Sequence, residues 1–532
     1  MLAWSGTSGD RMHEIELLLL GLMVAGAGLS VLARPLGVPY PILLVLGGLV
    51  LGFVPGVSAV GLPPDLVLVL FLPPLLYSAA FFSSPRDLRA DLRAISLLAV
   101  GLVLATMVAV AVTAHALVEG LPWGAAFTLG AIVAPTDPLA ATAIGRRLGV
   151  PRRLLTVLEG ESLVNDASAL VAYRIAVAAT VGGSFVLWQA GLRFVVGVAG
   201  GVAVGLAVGW LAAEVRRRVD DPPAEIVVSV VTGYAAYLPA DRLGVSGVLA
   251  AVTAGLYVGW RAPELASVST RLLGFSFWEV LNYLLNAILF ILVGLQLHPI
   301  LSELTGRSAA TLLGQAALVS AVVIAVRIAW QFTVPYLVRA LDRRPSQVAR
   351  RVGPRERLVS GWSGMRGAVS LAAALALPRL FPERDLIVFL TFGVIFATLV
   401  VQGLTLPALI RRLGVRGDGA EELEEVRARL DAAKAALARL DELAVEDWTR
   451  DDTIERLRAA YEFRRRRLKA RVGKIEDDGY EDRSLAYQRL VRELLEAQRR
   501  TIVRLRNQGA ISSDVMHRIE RDLDLEDSRL EI

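Results

Sequence analysis

Thirteen mostly apolar stretches follow one another between residues 14 and 410, near 14–33, 39–55, 65–83, 94–117, 123–144, 155–180, 186–213, 224–240, 244–260, 276–297, 310–340, 357–378 and 385–410. A bilayer crossing takes about 20 such residues in helical form. Inside hydrocarbon every backbone N–H and C=O has to find its partner within the segment, so runs of this kind fold as helices. The expected fold class is an all-α polytopic membrane protein of about 13 transmembrane helices. A soluble single-domain enzyme is excluded.

Charge divides the chain in two. Residues 1–414 carry 31 Lys and Arg against 23 Asp and Glu, whereas the far shorter 415–532 carries 25 against 28. The expectation is a transmembrane domain at 1–414 and a cytoplasmic, charged helical domain at 415–532 that regulates or oligomerises. Residues 1–13 lack the basic start and small-residue cleavage site of a signal peptide. The loops after odd-numbered stretches contain 22 arginines, from Arg34 through Arg86, Arg146, Arg216, Arg261 and Arg339 to Arg412. The opposite side holds six: Arg11, Arg193, Arg242, Arg307, Arg379 and Arg384. Positive loops stay inside, so the N-terminus is expected outside and the tail in the cytoplasm of a plasma-membrane protein. In the tail, Leu423, Val426, Leu430, Ala433, Leu437 and Leu440 recur at helical spacing. The run Arg464–Arg467 reads as a solvated helix face or a lipid-headgroup contact, and the net-acidic tail speaks against a nucleic-acid partner. There is no cysteine, and the four histidines (His13, His115, His298, His517) have no metal-ligand spacing. No Gly-x-x-x-x-Gly-Lys-Ser/Thr run is present either, so no cofactor is expected.

An ionisable side chain within a span costs roughly 2.5–3.5 kcal/mol on insertion scales and so marks an ion path or a paired charge. Asp137, Glu161, Asp166, Arg327 and Arg366 are such residues. Asp137 sits in Ala134-Pro135-Thr136-Asp137-Pro138, where two prolines remove backbone donors and break the fifth stretch. Freed carbonyls beside a carboxylate suit a cation. The simpler alternative is a Pro kink with Asp137 capping a half-helix. In Gly160-Glu161-Ser162-Leu163-Val164-Asn165-Asp166, Ser162 and Asp166 share one helix face while Glu161 and Asn165 share the next. The first face offers a hydroxyl and a carboxylate to a hard monovalent cation, and the second could hold an arginine. A structural polar network between packed helices is the alternative. Gly364-Met365-Arg366-Gly367 places glycines about Arg366, allowing an unwound segment, and Glu161 is the expected partner of that guanidinium. Arg366 keeps its proton and acts as a clamp. Arg327 has no partner identifiable from spacing and is assigned a structural role. The two interrupted stretches lie seven spans apart, which fits inverted repeats with two broken, crossing helices.

These motifs, with Phe71-Leu72-Pro73-Pro74-Leu75-Leu76 and Phe290-Ile291-Leu292-Val293-Gly294-Leu295, resemble the monovalent cation:proton antiporters, in the branch of NhaP-type and animal sodium/proton exchangers. The resemblance spans most of 14–410. It implies a thirteen-span homodimer with a dimerisation domain and a six-helix core that moves for alternating access. It also implies that Asp166 binds either cation or proton, with Asp137, Thr136 and Ser162 beside it. Asn165 before Asp166 matches the electroneutral pattern of one Na⁺ or similar ion per H⁺, and the membrane part contains no lysine. Glu161 and Arg366 match the family's ion pair. One departure stands out. Some members have an acidic residue after Pro-Pro-Leu-Leu, where this chain reads Tyr77-Ser78-Ala79-Ala80, so Ser78 is an additional candidate ligand.

The function expected is exchange of Na⁺, K⁺ or Li⁺ for H⁺ without ATP, by competition at Asp166. An ion channel with a cytoplasmic gating tail, a membrane aspartyl hydrolase built on Asp137 and Asp166, and a membrane-anchored scaffold are the other classes considered.

Overall fold

The computed structural model describes residues 21–54 except 22, 30, 34, 36 and 37, and then 64–182, 187–304, 307–341, 351–417, 419–476 and 478–530. The first half of the stretch at 14–33, with Arg11, Arg34, Arg343, Arg344 and Arg350, lies outside the described residues. Two compact units emerge, Met1–Arg416 and Gly417–Ile532, so the division falls two residues beyond the expected position.

In the first unit every apolar stretch from 39 onward is helical or a broken helix. The elements are α1 (Tyr40–Gly52), α2 (Pro64–Phe81), α3 (Leu92–Leu117), α4 (Trp123–Val133), α5 (Leu139–Arg147), α6 (Arg152–Gly182) and α7 (Leu187–Arg216). Then come α8 (Pro222–Arg242), α9 (Gly247–Leu265), α10 (Val268–Leu295), α11 (Ala309–Leu341), α12 (Pro354–Trp362), α13 (Ala368–Leu375) and α14 (Arg384–Leu413). Among the described residues six helices are long and apolar enough to cross a membrane: α3, α6, α7, α10 extended to Ser302, α11 and α14. Their starts follow local chemistry. Asp221, Ser246 and Ser267 each accept a hydrogen bond from the backbone N–H three residues on, capping α8, α9 and α10.

In a bilayer, lipid tails compete equally well for apolar side chains, so helix pairs gain most from close packing of small residues. The α7–α9 seam shows it. Gly201, Gly205 and Gly209 face Ser246, Ala250 and Ala254, both series stepping by one turn. A Cβ on Gly205 would lie 2.7 Å from the Thr253 Cβ and 3.0 Å from the Ala250 Cα. The main core is built on α4, α10, α13 and α14, around Leu129, Phe290, Leu371 and Ile395. Two π-helical turns, Leu97–Leu102 in α3 and Ala397–Gln402 in α14, interrupt otherwise regular spans.

The second unit consists of α15 (Ala420–Leu443), α16 (Asp451–Arg471), α17 (Tyr480–Asn507) and α18 (Ser513–Leu530). Leu430, Ala433 and Leu437 bury the expected face of α15, and Leu495, Ile502, Met516 and Leu523 form a small core between α17 and α18. Arg499 donates to Asp524 at 2.7 Å and to Asp527 at 3.2 Å across that hairpin. Of the basic run, Arg464 and Arg466 are exposed; Arg467 is half-buried and hydrogen-bonds Ser484 of α17. The run is thus partly a fastening between helices rather than a fully solvated face.

Candidate functional site

Backbone geometry comes first. Residues 134–138 are unwound between α4 and α5, and residues 364–367 between α12 and α13. The two breaks touch, because the Asp137 N–H donates to the Met365 carbonyl at 2.8 Å. Proline causes the first break. At the second, Gly367 allows the chains to approach: a Cβ there would stand 2.7 Å from the Asp137 Cβ and 2.9 Å from its Cγ. We expect Gly367→Val to push the breaks apart and cost about 1–3 kcal/mol by overpacking. A thermal shift on the purified variant checks this, and an unchanged midpoint would show that the contact is slack.

Asp137 uses one carboxylate oxygen to accept from the Leu139 N–H at 2.9 Å, which caps α5. The capping alternative is therefore real, and it leaves the second oxygen for other work. On α6, Asp166 is 8% exposed and lies within electrostatic reach of Asp137. Among the described residues no side-chain or backbone donor reaches its carboxylate. Ser162, one turn earlier on α6, is half-buried, and its hydroxyl makes no hydrogen bond among the described residues.

The neighbouring face of α6 is engaged through Glu161 and the Asn165 amide nitrogen, while the Asn165 side-chain oxygen has no hydrogen-bond partner among the described residues. Arg327 on α11 donates from both terminal nitrogens to the two oxygens of Glu161, one of these bonds being 2.9 Å, and both side chains are 1% exposed. Its Nε donates to the Ser360 carbonyl at 3.2 Å, bringing α12 into the same joint. Thr136 donates to Glu161 at 3.0 Å and accepts from the Asn165 amide at 2.8 Å. Gln331, one turn beyond Arg327, donates to the Ser360 hydroxyl at 2.9 Å.

This corrects the expected Glu161–Arg366 pair. The partner of Glu161 is Arg327, approaching from α11, a long helix whose side chain reaches across to α6. Arg366 lies in the unwound segment, where its guanidinium folds back to donate to the Gly364 carbonyl at 3.0 Å and its backbone N–H donates to the Thr398 hydroxyl at 3.1 Å. Its Nε has no hydrogen-bond partner among the described residues. It remains within electrostatic reach of the Glu161–Arg327 pair. Ser78, buried in α2, donates to the Asn282 side-chain oxygen of α10 at 2.8 Å and to the Leu75 carbonyl at 3.0 Å. No hydrogen bond among the described residues joins it to the Asp166 neighbourhood. Ser360, Gln331 and Thr398 were not singled out from sequence. Only the four-residue spacing of Arg327 and Gln331 hinted that this face of α11 is polar.

Two carboxylates at the meeting of two broken helices, with a buried ion pair beside them, suit ion binding inside a membrane. Comparison with known proteins agrees with the architecture. Residues 19–412 match the profile of the sodium/hydrogen exchanger transmembrane family. The chain is 38% identical over 540 residues to a Na⁺/H⁺ exchanger of Mycobacterium tuberculosis, described as uncharacterized, with 98% of each chain covered. It is 33% identical over 441 residues to the low-affinity Na⁺/H⁺ antiporter NhaS1 of Synechocystis, covering 82% of this chain and 81% of the other. The solved sodium proton antiporter MjNhaP1 of Methanocaldococcus jannaschii shares the fold with a TM-score of 0.57 at 20% identity, over 76% of this chain and 99% of that one. With a family match running from the first apolar stretch to the end of α14, the chain belongs to the sodium/hydrogen exchangers.

Proposed function

We propose that this protein is a secondary antiporter exchanging Na⁺, with Li⁺ and K⁺ as possible alternative ions, for H⁺ in electroneutral one-for-one fashion. Cation and proton compete for the Asp166 carboxylate, and Asp137, Thr136 and Ser162 supply further oxygen ligands. Glu161, Arg327, Asn165 and Arg366 hold the broken region in shape. The observation that carries this reading is a buried carboxylate with no protein donor among the described residues. An isolated carboxylate in a poorly solvated place is costly, and either a proton or a monovalent cation relieves that cost. A site neutral in both loaded forms can cross with either ion and is held back when empty. Exchange follows without ATP.

The family match supports an exchanger and gives no support to a channel with a gating tail. The arginine asymmetry supports an N-terminus outside, a cytoplasmic tail and a plasma-membrane location. A homodimer, and a regulatory part for α15–α18, belong to the same proposal.

Everted vesicles carrying an acid-inside gradient provide the test. Adding Na⁺, Li⁺ or K⁺ is expected to collapse the gradient with saturation, and the apparent KM for the cation should rise as pH falls, because the proton competes. Collapse that is not saturable, or that persists when no Na⁺, Li⁺ or K⁺ is present, would remove the exchanger reading.

A further inference from the structure

At the arginine-rich ends of α2, α7, α8, α9 and α10 lies a cavity of about 1020 Å³. All its lining residues fall within 81–89 and 206–278, so neither α4–α6 nor α11–α14 contributes and the cavity is separate from the Asp166 site. Arg216 lines it while being only 4% exposed. One of its nitrogens donates to Glu225 at 3.2 Å, but its Nε and Nη1 have no hydrogen-bond partner among the described residues. The other Glu225 oxygen turns to the Thr270 hydroxyl, from which it accepts at 2.9 Å. Buried donors of a guanidinium left unmet are costly, and an anion is the group that meets them. Arg86, Arg89 and Arg271 line the same cavity from exposed positions, and Glu225 is its one acidic lining residue.

The rest of the wall is mainly apolar with a few hydroxyls such as Ser83, Ser84 and Thr253, and Phe82, Trp260 and Phe275 are exposed on it. A small inorganic anion has no use for aromatic rings, whereas a phospholipid carries a phosphate and acyl chains together. A second copy of the chain is a poorer occupant, since a two-fold contact centred on this cavity would set two such arginine groups against each other. We propose that this cavity binds an anionic phospholipid, its headgroup phosphate held by Arg216 with Arg86, Arg89 and Arg271, and its acyl chains against Phe82, Trp260 and Phe275. Membrane-facing arginine clusters at a charged leaflet recognise such headgroups by the same chemistry.

Native mass spectrometry of the full chain, purified in neutral detergent, tests the site by binding alone, independently of whether exchange occurs at Asp166. Titrated phosphatidylglycerol should bind about tenfold tighter than phosphatidylcholine, because both carry a phosphate but only phosphatidylcholine adds a choline cation that cancels its charge beside the arginines. Arg216→Gln should erase that preference. If Arg216→Gln fails to fold, the exposed Arg86→Gln/Arg89→Gln pair decides, with a several-fold loss expected for phosphatidylglycerol and none for phosphatidylcholine. Equal binding of the two lipids would overturn the proposal, as would a preference untouched in these variants. Inorganic phosphate displacing the lipid at equal concentration would make this a free-anion site. Protein dimers that exclude the lipid would make it a subunit interface.

Discussion

Replacing Asp166 by asparagine is expected to reduce cation-driven proton movement to the level of vesicles without the protein. The substitution keeps the shape and removes both the negative charge and the exchangeable proton. Because no donor among the described residues reaches the Asp166 carboxylate, a neutral amide there strands no existing partner. Expression and thermal midpoint should therefore stay close to wild type, within the small range of substitutions that break no network. Loss of exchange at unchanged stability is the signature of a transport residue and not of a structural one. Asp137→Asn should differ in kind, because Asp137 also caps α5 through the Leu139 N–H, and an Asn side chain can still accept that bond. Its exchange should weaken with retained α5 geometry. Full exchange in Asp166→Asn, measured in the same vesicles, would move the competition to another group.

Arg327→Ala is expected to be the most destabilising single substitution in the membrane unit. It leaves Glu161, 1% exposed, with Thr136 as its remaining donor among the described residues, and it removes the link from α11 to the Ser360 carbonyl, which still accepts from the Ser363 N–H. Removing one partner of a buried ion pair costs about 3–5 kcal/mol, since the other charge stays buried and uncompensated. Neutralising both partners, as in Glu161→Gln/Arg327→Met, should cost clearly less than the sum of the single changes, and the double-mutant cycle measures that coupling. Arg366→Ala is the control. Its guanidinium bonds to the Gly364 carbonyl and forms no ion pair among the described residues, so it should lower the thermal midpoint less than Arg327→Ala does. The reverse order, read by fluorescence-detected size exclusion after heating, would restore the pairing expected from sequence.

The contrast between these two arginines shows where the sequence was legible. Helix positions were, because hydrocarbon leaves the backbone one economical arrangement and Pro135, Pro138, Gly364 and Gly367 mark where it fails. The shared faces of α6 were legible too, since Ser162/Asp166 and Glu161/Asn165 follow from helical spacing alone. Who meets Glu161 was not. Arg327 stands 166 residues away on another helix, and no local period distinguishes it from Arg366. Side-chain reach across packed helices decides such a match, and that information exists only after the helices are docked. The π-helical turns likewise carry no shared signature in residue type, since Leu97–Leu102 is wholly apolar whereas Ala397–Gln402 contains Thr398 and Gln402. The cavity beside Arg216 was invisible for the same reason, its walls coming from five helices.

The joint between the two broken helices is made by peptide groups: the N–H of residue 137 and the C=O of residue 365. Every amino acid except proline brings that donor, and every one brings that acceptor. The carboxylates and hydroxyls around it can therefore drift through substitution, changing which ion is held, without loosening the frame that presents them. Side-chain scanning across both breaks would be blind to the joint itself. Asp137→Pro deletes the donor and so cuts it directly, whereas Gly367→Val acts on it only by forcing the two breaks apart.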